Sequence, residues 1–358
     1  MSQKIKITQT SKSNFDKIDY NNLGFGVNFT DHMFIADYSD GEWKDARIVP
    51  FENFSLHPAS SFIHYGQAIF EGLKASKNKK NETIVFRPEM NIRRMNISAN
   101  RMAMAEFPEE LFLNAIDELL TLDEKFIPTE EGTSMYIRPF CFATEQAVRI
   151  KRSSSYKFVI ILSPVGKYYS EPVKVYASEK YIRAFPGGTG YTKSAGNYGG
   201  AIKPVEEIVA KGYNQILWMD GIEKKYVQEI GTMNFAVVID GKVLTADLSE
   251  GTILPGITRD TTLTILKEWG VPVEERKVSI DEIIEAHKNG TLEDAFGMGT
   301  AAAITFINEI GYRDLKLNLP PLEKRTLSQR LKTEILKQRQ GEVEDTHNWV
   351  RVVKPVSA

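Results

Sequence analysis

Residues 183–200 read RAFPGGTGYTKSAGNYGG and interrupt a chain that otherwise alternates between β-rich and helical patterns. The stretch is dense in glycine and has no apolar periodicity, which is typical of an ordered loop. Tyr191, Tyr198 and the compact GNYGG run are unusual residues for a flexible surface linker. We therefore expect a functional loop close to a domain junction.

Both sides of this loop mix strands and helices. On the N-terminal side, TIVF and the apolar part of YKFVIILSPVG predict strands, Asp40-Gly41 predicts a turn, and two helical patterns follow Pro88. On the C-terminal side, a hairpin series precedes a helix over residues 256–269 and a second helix opened by the capping box Ser279–Glu282. The pattern predicts two α/β or α+β domains. We expect a smaller α+β domain over residues 1–170, a linker over 171–185 and a larger domain over 186–358.

Length and charge exclude several classes of protein. A chain of 358 residues suggests two domains, and 45 Lys and Arg against 47 Asp and Glu leave no basic excess for nucleic acid. No run of about 18 apolar residues predicts a membrane span, and the first residues lack the apolar core of a secretory signal. The single cysteine, Cys141, excludes an intrachain disulfide framework. We expect a cytoplasmic protein without nucleic-acid or membrane partners.

Lys193 in the glycine-rich loop is open to more than one interpretation. The sequence Gly187-x4-Thr192-Lys193-Ser194 nearly matches a nucleotide-binding P-loop. The glycine before the lysine is missing, however, and no clean strand–loop–helix frame surrounds the motif. A nucleotide-binding protein is therefore the minor alternative, and Lys193 is otherwise a linker residue or a catalytic amine.

Further polar residues stand in apolar or glycine-rich surroundings. Glu229 lies in the β-rich run VQEIGTMN and, if it faces inward, needs a cationic or protonated partner. The segments LPGITR (254–259) and FGMGT (296–300), each of which we expect to precede a helix, offer backbone N–H groups to a phosphate. Two arginines suit anion binding: Arg94 in a helical pattern and Arg138 in the apolar run MYIRP. The alternative for each is a structural arginine in a salt bridge. An amine, a carboxylate and phosphate donors are together what pyridoxal 5′-phosphate requires.

These residues lead to a resemblance that covers most of the chain. The sequence resembles the branched-chain-amino-acid aminotransferases, which are pyridoxal-phosphate enzymes of fold type IV and class IV. The matching motifs, in family order, are FGVNFTDHM, HPASSFIHYGQAIFEGLKA, FRPEMNIRRM, GTSMYIRP, YTKSAGNYGG, QILWMDG, EIGTMNF, ILPGITR and FGMGTAA. The resemblance implies a two-domain fold-type IV homodimer that uses pyridoxal 5′-phosphate. It also implies ping-pong transamination of L-leucine, L-isoleucine and L-valine with 2-oxoglutarate.

The resemblance implies roles for individual residues as well. Lys193 matches the catalytic Schiff-base lysine, Glu229 the carboxylate at the pyridine nitrogen, and Tyr198 the phenol beside the cofactor's O3′. The expected phosphate ligands are Arg94, Ile257, Thr258 and Thr300, and the expected backbone donors to the substrate α-carboxylate are Thr300 and Ala301. The expected side-chain pocket consists of Phe25, Tyr65, Phe70, Tyr136 and Tyr168, with Arg138 for the second carboxylate of glutamate. Val148 and Ile150 match residues that reach the partner subunit.

Two other enzymes of the same fold are the nearest alternatives. A D-amino-acid aminotransferase or an aminodeoxychorismate lyase would share the cofactor chemistry. The length of the chain, the FTDHM motif and the strand GTSMYIRP point away from both. The sequence does not choose between the three branched-chain amino acids, because one methylene changes specificity by only about 1–3 kcal/mol.

Overall fold

The computed structural model describes residues 4–166 and 171–355, which form two compact units. Unit 1 comprises the described residues 4–166, 192–195 and 337–355. Unit 2 comprises residues 171–191 and 196–336. No helix in these described ranges is long and apolar enough to cross a lipid bilayer.

Unit 1 is built on one mixed β-sheet and two long helices. Its strands are β1 (Lys6–Ile7), β2 (His32–Ser39), β3 (Glu42–Pro50), β4 (Ala68–Phe70), β5 (Leu73–Lys77), β6 (Thr83–Phe86), β7 (Ser134–Ala143), β8 (Tyr156–Val165) and β18 (Val350–Val352). Its helices are α1 (Ser61–Tyr65), α2 (Pro88–Arg101) and α3 (Glu109–Leu122). The strand order is β1-β3-β2-β8-β7-β5-β6-β18, and β4 pairs with β7.

The sequence patterns in unit 1 are confirmed in detail. The Asp40-Gly41 turn joins β2 to β3, with positive φ at both residues, as a tight hairpin requires. Pro88 occupies the start of α2. The periodic apolar residues of α2 and α3, such as Ile92 and Phe112, are buried in the core on one face of the sheet. Cys141 lies in the same core, where desolvation raises the pKa of its thiol and keeps it unreactive.

Unit 2 has a second mixed sheet, covered by helices. Its strands are β9 (Val173–Ser178), β10 (Gln215–Met219), β11 (Val227–Ile230), β12 (Met233–Ile239), β13 (Lys242–Thr245), β14 (Val273–Glu275), β15 (Leu292–Gly299), β16 (Ala303–Tyr312) and β17 (Leu315–Asn318). Its helices are α5 (Ile202–Val209), α6 (Ile257–Glu268) and α7 (Ile280–Asn289), while α4 (Ala195–Gly199) and α8 (Thr326–Arg339) include residues of both units. The order is β11-β10-β9-β16-β15-β12-β13-β14, with β17 beside β16. The capping box is present, since the Ser279 hydroxyl accepts from the Glu282 N–H at 3.0 Å.

The compact units differ from the predicted domains in three respects. Strand β9 lies inside the predicted linker 171–185, because its alternating apolar residues pair with β10 and β16. The segment 192–195 belongs to unit 1, since Lys193 hydrogen-bonds to that unit, and residues from 337 onward join it through pairing of β18 with β6. Unit 1 is therefore the more extensive of the two.

The second expected anion-binding turn also has a different structure. The expected helix after FGMGT is absent, and strand β16 follows instead. Residues Thr300 and Ala301 lie in the turn of the β15–β16 hairpin, where Gly299 pairs with Ala303. The β-branched residues of AITFI favour a strand, and residues 303–306 pair with β15 in an antiparallel ladder.

Candidate active site

The backbone of Lys193 is fixed within unit 1 by two hydrogen bonds. Its N–H donates to the Ser98 hydroxyl of α2 at 3.0 Å, and its carbonyl accepts from the Phe70 N–H of β4 at 3.1 Å. An antiparallel bridge between Ile69 and Ser194 continues this contact. The Lys193 side chain therefore starts from a defined position beside β4.

Phe70 connects the Lys193 amine to an aromatic cluster of unit 1. The Lys193 Nζ lies 4.9 Å from the centre of the Phe70 ring, and the Arg138 guanidinium lies 4.8 Å from the same ring. Arg138 also donates to the Tyr136 hydroxyl at 2.9 Å, and the rings of Tyr136 and Phe25 are 4.9 Å apart. Of the residues expected in the side-chain pocket, the structure thus brings Phe25, Phe70, Tyr136 and Arg138 into one cluster, and the Lys193 amine lies beside Phe70.

Strand geometry explains why Tyr136 and Arg138 act together. Side chains two residues apart on a strand share a face, and Ile137 between them points into the helix-covered core. Gly72 makes room for the Tyr136 ring, because a Cβ at residue 72 would lie 2.1 Å from the Tyr136 hydroxyl. The buried Nε of Arg138 has no hydrogen-bond partner among residues 4–166 and 171–355, so the guanidinium has a donor available for an incoming carboxylate.

Arg94 is held by a carboxylate of the same unit. Its Nε and Nη2 donate to the two carboxylate oxygens of Glu71, each at 2.8 Å, and Asn91 donates to Glu71 as well. Burial raises the pKa of Glu71, but the charges of Arg94 and Lys193 and these hydrogen bonds outweigh burial and lower it. Glu71 is therefore ionised and fixes the orientation of Arg94 in a bidentate pair.

Glu229 faces the interior of unit 2, where it is 2% exposed. Its Oε2 pairs with the Arg183 Nε at 2.9 Å, and its Oε1 accepts from the Asn234 amide at 3.1 Å and the Leu254 N–H at 3.0 Å. Arg183 itself donates to the carbonyls of Gly190 and Thr252. Three donors, one of them a guanidinium, match the carboxylate anion. The cationic partner expected for an inward-facing Glu229 is thus Arg183.

Tyr198 and Glu229 line one small pocket of unit 2, together with Arg183 and Asn197. Asn197 also exchanges hydrogen bonds with Thr189, donating to its carbonyl at 2.8 Å and accepting from its hydroxyl at 2.8 Å. These two hydrogen bonds join a residue before Lys193 to a residue after it. Tyr198 and Glu229, two of the predicted cofactor-binding residues, therefore place a phenol and a carboxylate in the same pocket.

The N-terminus of α6 provides backbone donors in unit 2. Ile257 and Thr258 are the first two residues of this helix and are buried. Gly256 precedes them, and a Cβ there would lie 1.9 Å from the Asn234 side-chain oxygen. Asn234 also donates to the Leu254 carbonyl at 2.9 Å, so one side chain fixes both Glu229 and the approach to α6. A helix start of this kind suits a phosphate.

Three further predicted residues that the structure describes are exposed to solvent. Tyr65 ends α1 and is 37% exposed. Val148 and Ile150 lie in the segment between β7 and β8 and are 64% and 89% exposed. Tyr168 is outside the described residues.

Comparisons with known proteins agree with these motifs. The family model for the class IV aminotransferases matches residues 68–310. The chain belongs to this family. It is 44% identical over 354 residues to branched-chain-amino-acid aminotransferase 2 of Bacillus subtilis, covering 98% of this chain and 96% of the relative. It is 43% identical to branched-chain-amino-acid transaminase 1 of the same organism, covering 93% of this chain and 95% of the relative. The family predicted from the sequence is confirmed.

Solved structures of related aminotransferases share the fold. A branched-chain aminotransferase of the archaeon Thermoproteus uzoniensis, solved with norvaline, superposes with a TM-score of 0.74 at 25% identity over 90% of this chain and 100% of that one. The Escherichia coli branched-chain amino acid aminotransferase gives a TM-score of 0.71 at 23% identity, over 90% and 99% of the two chains. The predicted fold-type IV architecture is confirmed.

Three residues of this class IV aminotransferase had no role in the sequence interpretation. In the sequence, Glu71 appears only as part of one family motif. Its position in the apolar run AIFEGL is nevertheless a signal of a buried ion pair. Ser98 and Arg183 gave no comparable signal. Their partners, Lys193 and Glu229, are distant in the sequence, so pattern alone does not reveal the contacts.

Proposed function

We propose that this chain transfers amino groups between L-leucine, L-isoleucine or L-valine and 2-oxoglutarate, with pyridoxal 5′-phosphate as its cofactor. The observation that carries the proposal is the near full-length likeness to proteins named branched-chain-amino-acid aminotransferases. The donor set supports it, since it includes a positioned lysine amine, a buried carboxylate anion and a helix start that suits phosphate. When bound, this cofactor supplies an aldehyde that takes up the amino group and a ring that accepts electrons.

This proposal assigns tasks to the polar residues. Lys193 Nζ would hold the cofactor and would move a proton at the substrate α-carbon. Glu229, held as an anion by Arg183, would keep the cofactor's pyridine nitrogen protonated, and Tyr198 would donate to the cofactor's O3′. Arg94, Ile257, Thr258 and Thr300 bind the phosphate, and the N–H groups of Thr300 and Ala301 bind the substrate α-carboxylate.

The aromatic cluster of unit 1 supports the substrate class. Phe25, Phe70 and Tyr136 offer an apolar surface to a branched alkyl side chain. Arg138 adds one guanidinium whose buried Nε has no partner in the described part of the chain, which suits the second carboxylate of glutamate. One pocket with these properties accepts both substrates of the reaction.

We also propose a homodimer. Val148 and Ile150 are large apolar side chains exposed to solvent in the single chain. Neighbouring exposed apolar residues of this size are typical of an interaction surface. A second copy of the chain would bury them.

The proposal is tested by a coupled assay of glutamate formation from 2-oxoglutarate and single amino acids. L-Leucine, L-isoleucine and L-valine should all react, with kcat/KM values within about 100-fold of one another, because their side chains differ by at most one methylene or its branching. The visible absorbance of the bound cofactor should disappear with L-leucine and return with 2-oxoglutarate. Faster turnover of D-alanine than of L-leucine would contradict the proposed substrate class.

Replacing Arg138 with methionine should separate the two substrates. Methionine keeps an apolar stem beside Phe70 but removes the charge, so the KM for 2-oxoglutarate should rise about 10- to 100-fold, as expected for a lost charged hydrogen bond. The half-reaction with L-leucine should change little. The control is Arg93→Met, because Arg93 is an exposed arginine of α2 that pairs with Glu109. Equal losses with leucine and 2-oxoglutarate would show that Arg138 does not recognise the second carboxylate.

A further inference from the structure

Ser98 makes two hydrogen bonds from the interior of unit 1. It lies on α2, four residues after Arg94, and is 0% exposed. Its hydroxyl donates to the Arg94 carbonyl at 3.2 Å, which is an ordinary bond for a serine inside a helix. The same oxygen accepts from the Lys193 N–H at 3.0 Å, across 95 residues of sequence. Ser98 thus connects a rigid helix to the lysine segment.

The segment around Lys193 is held closely on both sides. Thr192 and Ser194 are buried, and their hydroxyls hydrogen-bond to each other at 3.1 Å. The Lys193 carbonyl accepts from Phe70, so Ser98 and β4 hold the two backbone groups of the same residue. A helix side chain and a strand backbone therefore fix the position from which the lysine side chain extends.

These contacts form a closed circuit through two charged residues. Glu71 follows Phe70 in the chain and binds Arg94 in a bidentate pair. Arg94 is in turn the residue whose carbonyl accepts from Ser98. The circuit runs from Lys193 through Ser98, Arg94, Glu71 and Phe70 back to Lys193. Its links are hydrogen bonds, apart from the peptide bond between Phe70 and Glu71, so a shift of the lysine backbone would strain the circuit as a whole.

We propose that Ser98 is a positioning residue that aims the Lys193 amine by holding its backbone N–H. The inference rests on the proposed role of Lys193 in moving a proton during transamination. Proton transfer requires the amine within hydrogen-bond reach of the reacting carbon, and a displacement of about 1 Å lowers rates by about 10²-fold. Ser98 touches neither substrate nor cofactor in this mechanism. Its effect acts through the position of Lys193.

The test compares Ser98→Ala, Ser98→Thr and the control Thr121→Ala. Alanine favours a helix, so the first variant should fold, but the Lys193 N–H loses its acceptor. We expect kcat with L-leucine to fall about 10- to 100-fold with little change in KM. The isotope effect with α-deuterated L-leucine should rise, because proton transfer limits the rate more strongly. Threonine keeps the hydroxyl and should restore both. Thr121 donates to the Asp117 carbonyl in the same helical manner on α3, and its loss should change neither.

A second readout does not depend on catalysis. In the cofactor-free protein, hydrogen exchange followed by mass spectrometry should show faster exchange in the peptide containing Lys193 for Ser98→Ala, but not for Ser98→Thr or Thr121→Ala. Unchanged exchange there, together with an unchanged isotope effect, would overturn the positioning role. If the wild-type protein forms no glutamate from any amino acid, the proposed function fails instead. The exchange result then still decides whether Ser98 holds the lysine backbone.

Discussion

Replacing Lys193 with alanine should lower turnover of L-leucine by at least about 10³-fold, because loss of a positioned acid–base group alone costs about 10²–10⁴-fold and the covalent role is lost with it. The fold should persist. The hydrogen bonds to Ser98 and Phe70 involve the backbone of residue 193, which alanine retains. The substitution removes the contact between the ammonium and the Phe70 ring, which is worth about 0.5–1 kcal/mol where solvent reaches it. It also removes a charge that helps to lower the pKa of Glu71, but Arg94 and Asn91 still hold that carboxylate.

Two control variants separate chemistry from structure. Lys193→Arg keeps a positive charge near Phe70, but its guanidinium is always protonated and cannot act as nucleophile or base, so it should be as inactive as the alanine variant. Lys211→Ala removes a comparable lysine–aromatic contact in unit 2, 4.7 Å from the Tyr176 ring, and should remain fully active. Initial rates, melting temperature and cofactor absorbance are the measurements. Normal turnover by Lys193→Ala would remove this residue from the reaction.

Replacing Glu229 with glutamine should reduce both turnover and stability. Without the carboxylate, the buried Arg183 loses its counter-ion, and the new amide group presents N–H to the surrounding donors. Breaking a buried pair in this way costs about 3–5 kcal/mol in the free energy of unfolding. Turnover should fall about 10²–10³-fold, as is typical when one electrostatic partner of the reacting system is lost.

The double variant Glu229→Gln/Arg183→Gln tells these two effects apart. Two amides can hydrogen-bond to each other without a buried charge, so much of the stability should return while turnover and cofactor affinity stay low. Glu179→Gln, which breaks an exposed pair with Arg313, is the control and should affect neither strongly. Recovery of turnover in the double variant would mean that the charge of Glu229 is not needed for the reaction.

Local elements followed well from the sequence, whereas domain limits did not. The Asp40-Gly41 hairpin, the start of α2 at Pro88 and the Ser279 cap were predicted because each depends on residues a few positions apart. The inclusion of residues 192–195 and 337–355 in unit 1 was missed, because strand and loop pairings over long sequence distances determine it. The helix expected after FGMGT was wrong for a related reason, since pairing with β15 turns AITFI into a strand.

For this protein the sequence by itself determined the family and the candidate residues, because each motif is a short local pattern with its own chemistry. Lys193, Glu229 and Arg94 could be named from the sequence alone. Only the tertiary structure decided their partners: Ser98 for the lysine backbone, Arg183 for Glu229 and Glu71 for Arg94. The physical reason is that a buried charge or N–H must be satisfied by whichever group the fold brings within about 3 Å, and that group is set by packing rather than by sequence spacing.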